Sequence, residues 1–252
     1  MITVYKPVRG NQLPPLVFGS DLVVQRGLGA DELESAIELE LAGVRCINSP
    51  GATNAITDRA HIMSLLAAAA LPVPKTAAAN TWEEVIEIAD ERPTAVKGLD
   101  GSVGRGLHVH LAVDGRLPHR APFSGPFIVQ EYIPAHDTVR KLYVVGSHTR
   151  GLGKSVGTSR TARSPGVPIQ IAPRLSDLAR RAGAALGMEI FGVDILDGPN
   201  GPMIIDVNPF PGFRDVPDAA RLIANHLSEI VATPGDDSTI APTTSHPCQQ
   251  PA

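Results

Sequence analysis

The sequence predicts an α+β protein, opening with a short α/β unit and continuing into a small α+β lobe and a strand hairpin set between two amphipathic helices. Three stretches carry this reading. "DLVVQRGLGADELESAIELELAGVRCINSP" (21–50) reads strand, helix, strand. Residues 82–133 hold one helical segment and three strand-like runs broken by a glycine loop. "FGVDILDGPNGPMIIDVNPFPGF" (191–213) reads as two apolar strands around a turn.

The elements follow in order. "LVVQ" is a strand, Leu33, Ile37, Leu39 and Leu41 among glutamates form a helix stopped by Gly43, and "VRCIN" is the next strand. "ATNAITDRAHIMSLLAAAA" reads as a helix with Asn54 or Thr57 as cap, ended by the two prolines of "LPVPKT". A new unit is expected near Thr81: a helix at 82–90, strands "TAVKGL", "LHVHLAV" and "FIVQEYI", and "GSVGRG" as a loop. From Lys141, "KLYVVG" is a strand. The glycine-rich, basic "SHTRGLGKSVGTSRTARSPG" has no apolar period and reads as a loop over a site. Leu175, Leu178, Ala179, Ala182 and Leu186 make one apolar helical stripe, and "VPDAARLIANHLSEIV" a final amphipathic helix. The expected division is 1–80, 81–134 and 135–232, with 233–252 a tail whose composition predicts disorder.

Composition narrows the function classes. With 252 residues, 43% of them hydrophobic, the chain can bury a substantial core. Its formal charge of −4 comes from scattered residues of both signs, so no basic stripe points to nucleic acid. The longest apolar run is too short and too proline-rich to span a membrane, and a cytoplasmic protein is expected. Cys46 and Cys248 support neither a disulfide framework nor a zinc site. His61, His108, His110, His136, His148 and His226 show no metal-ligand spacing. Only five of the 22 basic residues are lysines, so a lysine within a strand, such as Lys97 or Lys141, stands out.

The hairpin carries the chemistry. Alternation places Ile204, Asp206 and Asn208 on one face of its second strand and Ile205 and Val207 on the other. A turn at "GPNGP" sets Asp194 opposite Asp206, with Cβ atoms about 5 Å apart. Two carboxylates so close in an apolar setting require a proton or a cation between them, and two aspartates with an amide suit magnesium. Such a site implies a polyanion, which Lys97 and the backbone amides of the glycine loop could hold. The loop is not a Walker A sequence, because its lysine precedes the glycines.

"INSPGATNAITDRAHIMSLLAAAALPVPKT", "TAVKGLDGSVGRGLHV", "FIVQEYI", "KLYVVG" and "FGVDIL…MIIDVNPFPGF" together resemble the ATP-grasp superfamily, in its order and over residues 45–230. The resemblance implies two α+β lobes clamping ATP, with transfer of its γ-phosphate, usually to a carboxylate. It implies phosphate contacts from Lys97 and Lys141, and a loop over the phosphates with Gly101, Ser102, Gly104 and Gly106. It also implies an adenine hinge at Glu131, Tyr132 and Ile133, and Mg2+ held by Asp194, Asp206 and Asn208. Beside such a site Arg160 and Arg163 would meet an acidic substrate. The glycine loop is similar to that of amino-acid-adding ligases, whereas "KLYVVG" and "IIDVNPFPGF" are closer to inositol trisphosphate kinases. Asp206 stands where those ligases commonly carry glutamate, their D-x-R is absent at "TVRK", and the amino-terminal domain is short. The expectation is therefore an ATP- and magnesium-dependent carboxylate–amine ligase using small-molecule acid and amine substrates through an acyl-phosphate. A small-molecule kinase and a nucleotide-binding regulatory module are the alternatives, and self-association is left open.

Overall fold

The computed structural model describes residues 1–6, 13–28, 30–98, 109–134, 138–155 and 165–233. Its elements are β1 (Ile2–Val4), α1 (Pro15–Phe18), β2 (Leu22–Val24), α2 (Ala30–Leu41), β3 (Cys46–Ile47), α3 (Pro50–Ala55), α4 (Arg59–Ala68), β4 (Thr76–Ala79), α5 (Trp82–Ala89), β5 (Thr94–Gly98), β6 (Val109–Ala112), β7 (Phe127–Glu131), β8 (Thr138–Val145), β9 (His148–Ser155), β10 (Val167–Ile169), α6 (Pro173–Leu186), β11 (Ile190–Gly198), β12 (Gly201–Pro209) and α7 (Ala219–Ala232). They build a parallel sheet β1-β2-β3, a sheet β4-β7-β5-β6 that we call the lid sheet, and a five-stranded sheet β10-β9-β8-β11-β12.

The continuous apolar run of β2 has a simple cause: both faces of its sheet are covered. Val23 packs with Val17, Leu39 and Val44 on one side. Leu22 and Val24 pack with Val145, Ile190 and the α7 residues Leu222, Leu227 and Ile230 on the other. That second cluster ties the amino-terminal unit to the large sheet. Buried Asn48 adds to the tie: its Oδ1 accepts from Glu189 and Ile190 N–H, and its Nδ2 donates to the Ile190 carbonyl at 2.7 Å.

Two expectations about local structure are corrected. The segment read as one long helix from Ala52 breaks at Ile56–Asp58. Its cap is Asp58, whose carboxylate accepts from Ala60 and His61 N–H, not Asn54 or Thr57. Arg59 thereby becomes the first residue of α4. The stretch read as a loop from Ser147 begins instead with β9, paired along its length with β8. Its glycines are small for packing reasons: a Cβ at Gly151 would lie 2.8 Å from Ile171 Cγ1, and one at Gly153 3.3 Å from Ile169 Cγ2. Strand β4, hidden in the low-propensity "TAAA", pairs with β7 as an edge of the lid sheet.

The helical stripe on α6 is observed as expected, with Leu175, Leu178, Ala179, Ala182 and Leu186 all buried. It packs with Ile62, Met63 and Leu66 of α4 against Leu142, Val144, Val193, Ile195, Ile204 and Val207. This largest core holds one face of β8, β11 and β12 rigid, and the opposite face carries the charged residues described next.

Candidate active site

Strand register brings the charges together. Lys141 on β8 lies opposite Asp194 on β11, and Asp194 lies opposite Asp206 on β12, the expected pairing but reached differently: the turn is only Pro199 and Asn200, not "GPNGP", and a bulge supplies the remaining offset. Lys141 Nζ sits 2.9 Å from Asp194 Oδ1 and 3.1 Å from Oδ2, with hydrogen-bond geometry met only at Oδ2. Asp194 Oδ1 is buried and takes no hydrogen bond. Burial raises the Asp194 carboxyl pKa above the ordinary carboxylate value; Lys141 opposes that rise and Asp206 adds to it. The same surroundings, burial first and then the Asp194 and Asp215 charges, push the Tyr143 phenol up to about 12.

The alternation expected along β12 does not hold. The β11–β12 register shifts between Asp194 and Ile195, pairing Asp194 with Asp206 but Ile195 with Ile204, so Ile205 is the extra residue of a bulge. Ile204 and Val207 therefore both enter the core, leaving Asp206 and Asn208 on the charged face. The bulge also has a chemical product. The Ile205 carbonyl accepts from Lys97 Nζ at 3.1 Å, and Lys97, reaching down from β5 of the lid sheet, donates to Gln130 Oε1 at 2.8 Å as well. Gln130 is in turn fixed by donating to Thr76 Oγ1. Burial lowers the Lys97 pKa, with Asp206 pulling the other way.

Two residues were not singled out by the sequence. Arg59 donates from Nη1 to Asp206 Oδ2 at 3.0 Å, and the same oxygen accepts from Asn208 Nδ2 at 3.2 Å. Its sequence signal was a helix start, visible only once Asp58 is recognised as the cap. Gln130 was read merely as part of "QEYI". At the expected hinge, Glu131 N–H donates to the carbonyl of Lys75, just before β4, and Tyr132 N–H to that of Pro93, just before β5. A base bound there would have to use carbonyls or the Ile133 N–H. Gly101, Ser102, Gly104, Gly106, Arg160, Arg163 and residues 234–252 lie outside the described residues.

The donor set fits a hard divalent cation. Two carboxylates face each other, a carboxamide lies beside them, and one buried carboxylate oxygen lacks a hydrogen bond. Among the described residues no three His, Cys, Asp or Glu side chains converge as a metal cluster, so the donor set here rests on two carboxylates and a carboxamide.

The profile of the RimK-like ATP-grasp domain matches residues 56–230 of this chain, well over half of it. The chain belongs to the RimK-like ATP-grasp family. This ATP-grasp protein is 28% identical over 195 residues to "Probable alpha-L-glutamate ligase" of Trichodesmium erythraeum, across 72% of the chain and 65% of that relative. It is 27% identical to the protein of the same name from Maridesulfovibrio salexigens, across 80% of the chain and 73% of the relative. Among solved structures it resembles the RimK domain protein ATP-grasp from Sphaerobacter thermophilus, with TM-score 0.62, 22% identity and coverage of 84% and 82%. It also resembles D-cycloserine synthetase DcsG, with TM-score 0.63, 18% identity and coverage of 85% of both chains. The ATP-grasp fold, within the superfamily of carboxylate–amine ligases, is thus shared along most of the chain. Among the described residues no helix is long and apolar enough to cross a membrane.

Proposed function

We propose that this chain is an ATP- and Mg2+-dependent ligase that activates a small carboxylic acid as its acyl-phosphate and passes it to an amine. The observation that carries the proposal is the set of contacts joining Lys141 to Asp194, Arg59 to Asp206, and Lys97 across from the lid sheet to the β12 bulge. It concentrates phosphate-binding cations and cation-binding carboxylates on one cleft. Its relatives' name as glutamate ligases favours an amino acid as one substrate. A cytoplasmic setting follows from the need for ATP.

In this reading Asp194, Asp206 and Asn208 hold the metal, which neutralises phosphate charge when bound. Lys97 and Lys141 stabilise the charge that builds on the transferring phosphoryl group, and the loop around 101–106 covers it. The carboxylate oxygen of the acid attacks the γ-phosphorus and ADP leaves. The amine then attacks the acyl carbon, phosphate leaves with the shared electron pair, and the nitrogen gives up a proton to the departing phosphate or to solvent. Arg160 and Arg163 are assigned to the acidic substrate, and the Glu131–Ile133 hinge to adenine.

A trapping experiment tests the reaction class. Incubation with ATP, Mg2+, hydroxylamine and a panel of amino and hydroxy acids including glutamate should give a hydroxamate with matching ADP release. A phosphorylated polyol, formed from inositol phosphates without any carboxylate-dependent ADP release, would make the chain a kinase instead.

A further inference from the structure

Arg59 holds the carboxylate that the proposed metal needs. Its Nη1 lies 3.0 Å from Asp206 Oδ2, and Asn208 Nδ2 approaches the same oxygen at 3.2 Å, so two N–H donors occupy one prospective ligand atom. The arrangement is anchored from behind. Asp58 caps α4 at Ala60 and His61, and Ile62, Met63 and Leu66 are locked in the central core, so the Arg59 backbone cannot follow its side chain. The space around the pair is small: a cavity of about 10 Å³ lined by Arg59, Met63, Lys97, Ile128, Gln130 and Asp206. That is roughly room for one water and not for a phosphate.

Charge counting points the same way. Of the described residues in these contacts, Arg59, Lys97 and Lys141 carry three positive charges against the two of Asp194 and Asp206. A divalent cation entering alone meets a cleft already in positive excess and must also pull Asp206 from a guanidinium. A cation entering with a polyphosphate brings negative charge that offsets this excess, so the cost of parting Asp206 from Arg59 no longer falls on the metal alone.

We propose that Arg59 is a positioning residue that competes with the metal for Asp206, so that divalent cation and nucleoside triphosphate load the cleft together and neither loads well alone. This rests on the metal reading above. By linkage, whatever factor the nucleotide contributes to metal affinity, the metal returns to nucleotide affinity.

The test reads binding, not turnover. Mn2+ is titrated into the full chain with and without a non-hydrolysable ATP analogue, bound metal being followed by electron paramagnetic resonance against protein-free controls. In the wild type the analogue should strengthen Mn2+ binding by at least about tenfold, or ~1.4 kcal/mol. Arg59→Gln should raise Mn2+ affinity in the absence of nucleotide several-fold and shrink the enhancement by the analogue. Arg59→Lys, which keeps the charge, should stay close to wild type and serves as the second variant should the glutamine form fail to fold. Lys97→Gln removes equal charge without a hydrogen bond to Asp206, and should raise nucleotide-free Mn2+ affinity less. Equal rises in Arg59→Gln and Lys97→Gln would overturn the competition in favour of general electrostatics, as would an unchanged affinity in Arg59→Gln. No Mn2+ binding in any protein even with the analogue would instead remove the metal reading, and this inference with it.

Discussion

Replacing Lys141 by methionine isolates the cost of the buried carboxylate. The two side chains are about one-fifth exposed, 19% for Lys141 and 20% for Asp194, so solvent screens their 2.9 Å contact only in part. At an effective dielectric near 20 the gross attraction is roughly 5–6 kcal/mol. Part of that is returned because lysine no longer has to be desolvated and methionine fills its volume. A net loss of about 2–3 kcal/mol remains, below the range for a fully buried pair. For a chain of this size that lowers Tm by about 5–10 °C. The loss must also depend on pH. The folded Asp194 pKa is raised above its unfolded value, so its ionisation costs stability, and that cost appears as pH rises from the unfolded carboxyl pKa through the folded one. Lys141 offsets it. Lys141→Met should therefore differ least from wild type at the acid end of the pH range, where Asp194 is most protonated, and increasingly as pH rises through its raised folded pKa. Urea unfolding of both proteins across that range is the assay. A stability difference that stays flat with pH would refute the assignment of the cost to Asp194.

Two further outcomes are expected. Lys97→Ala should weaken binding of an ATP analogue by at least about tenfold in calorimetry, ~1.4 kcal/mol, because the lid sheet loses its one cation reaching the β12 bulge among the described residues; unchanged affinity would remove Lys97 from the phosphate site. Gly183→Ala sets two effects against each other: helix propensity favours alanine by about 1 kcal/mol. Against it, the new Cβ would lie 2.4 Å from Cε1 of the buried Phe191 ring, an overpacking worth about 1–3 kcal/mol. A lowered Tm is expected, and a raised one would show that the α6–β11 contact yields.

By itself the sequence determined what depends on near neighbours. Helical spacing marked the buried stripe of α6, and two apolar runs around a glycine–proline turn marked the β11–β12 hairpin, although a two-residue turn and the Ile205 bulge, not a "GPNGP" turn, set Asp194 opposite Asp206. The order of short motifs was enough to indicate the ATP-grasp family that the profile match shows. What tertiary structure alone decided is how distant groups meet. The bulge at Ile205, which reverses the expected face of Ile204 and turns a carbonyl to Lys97, is invisible to alternation because a single strand cannot say where its partner skips a residue. A cap at Asp58 split a helix that propensity would have continued, and so aimed Arg59 at a carboxylate 147 residues away. Glycines in β9 looked like loop residues until the isoleucines packed over them were in place. Spacing along a chain encodes periodicity, but ion pairs and close packing across such separations are fixed only when the core has brought the strands and helices together.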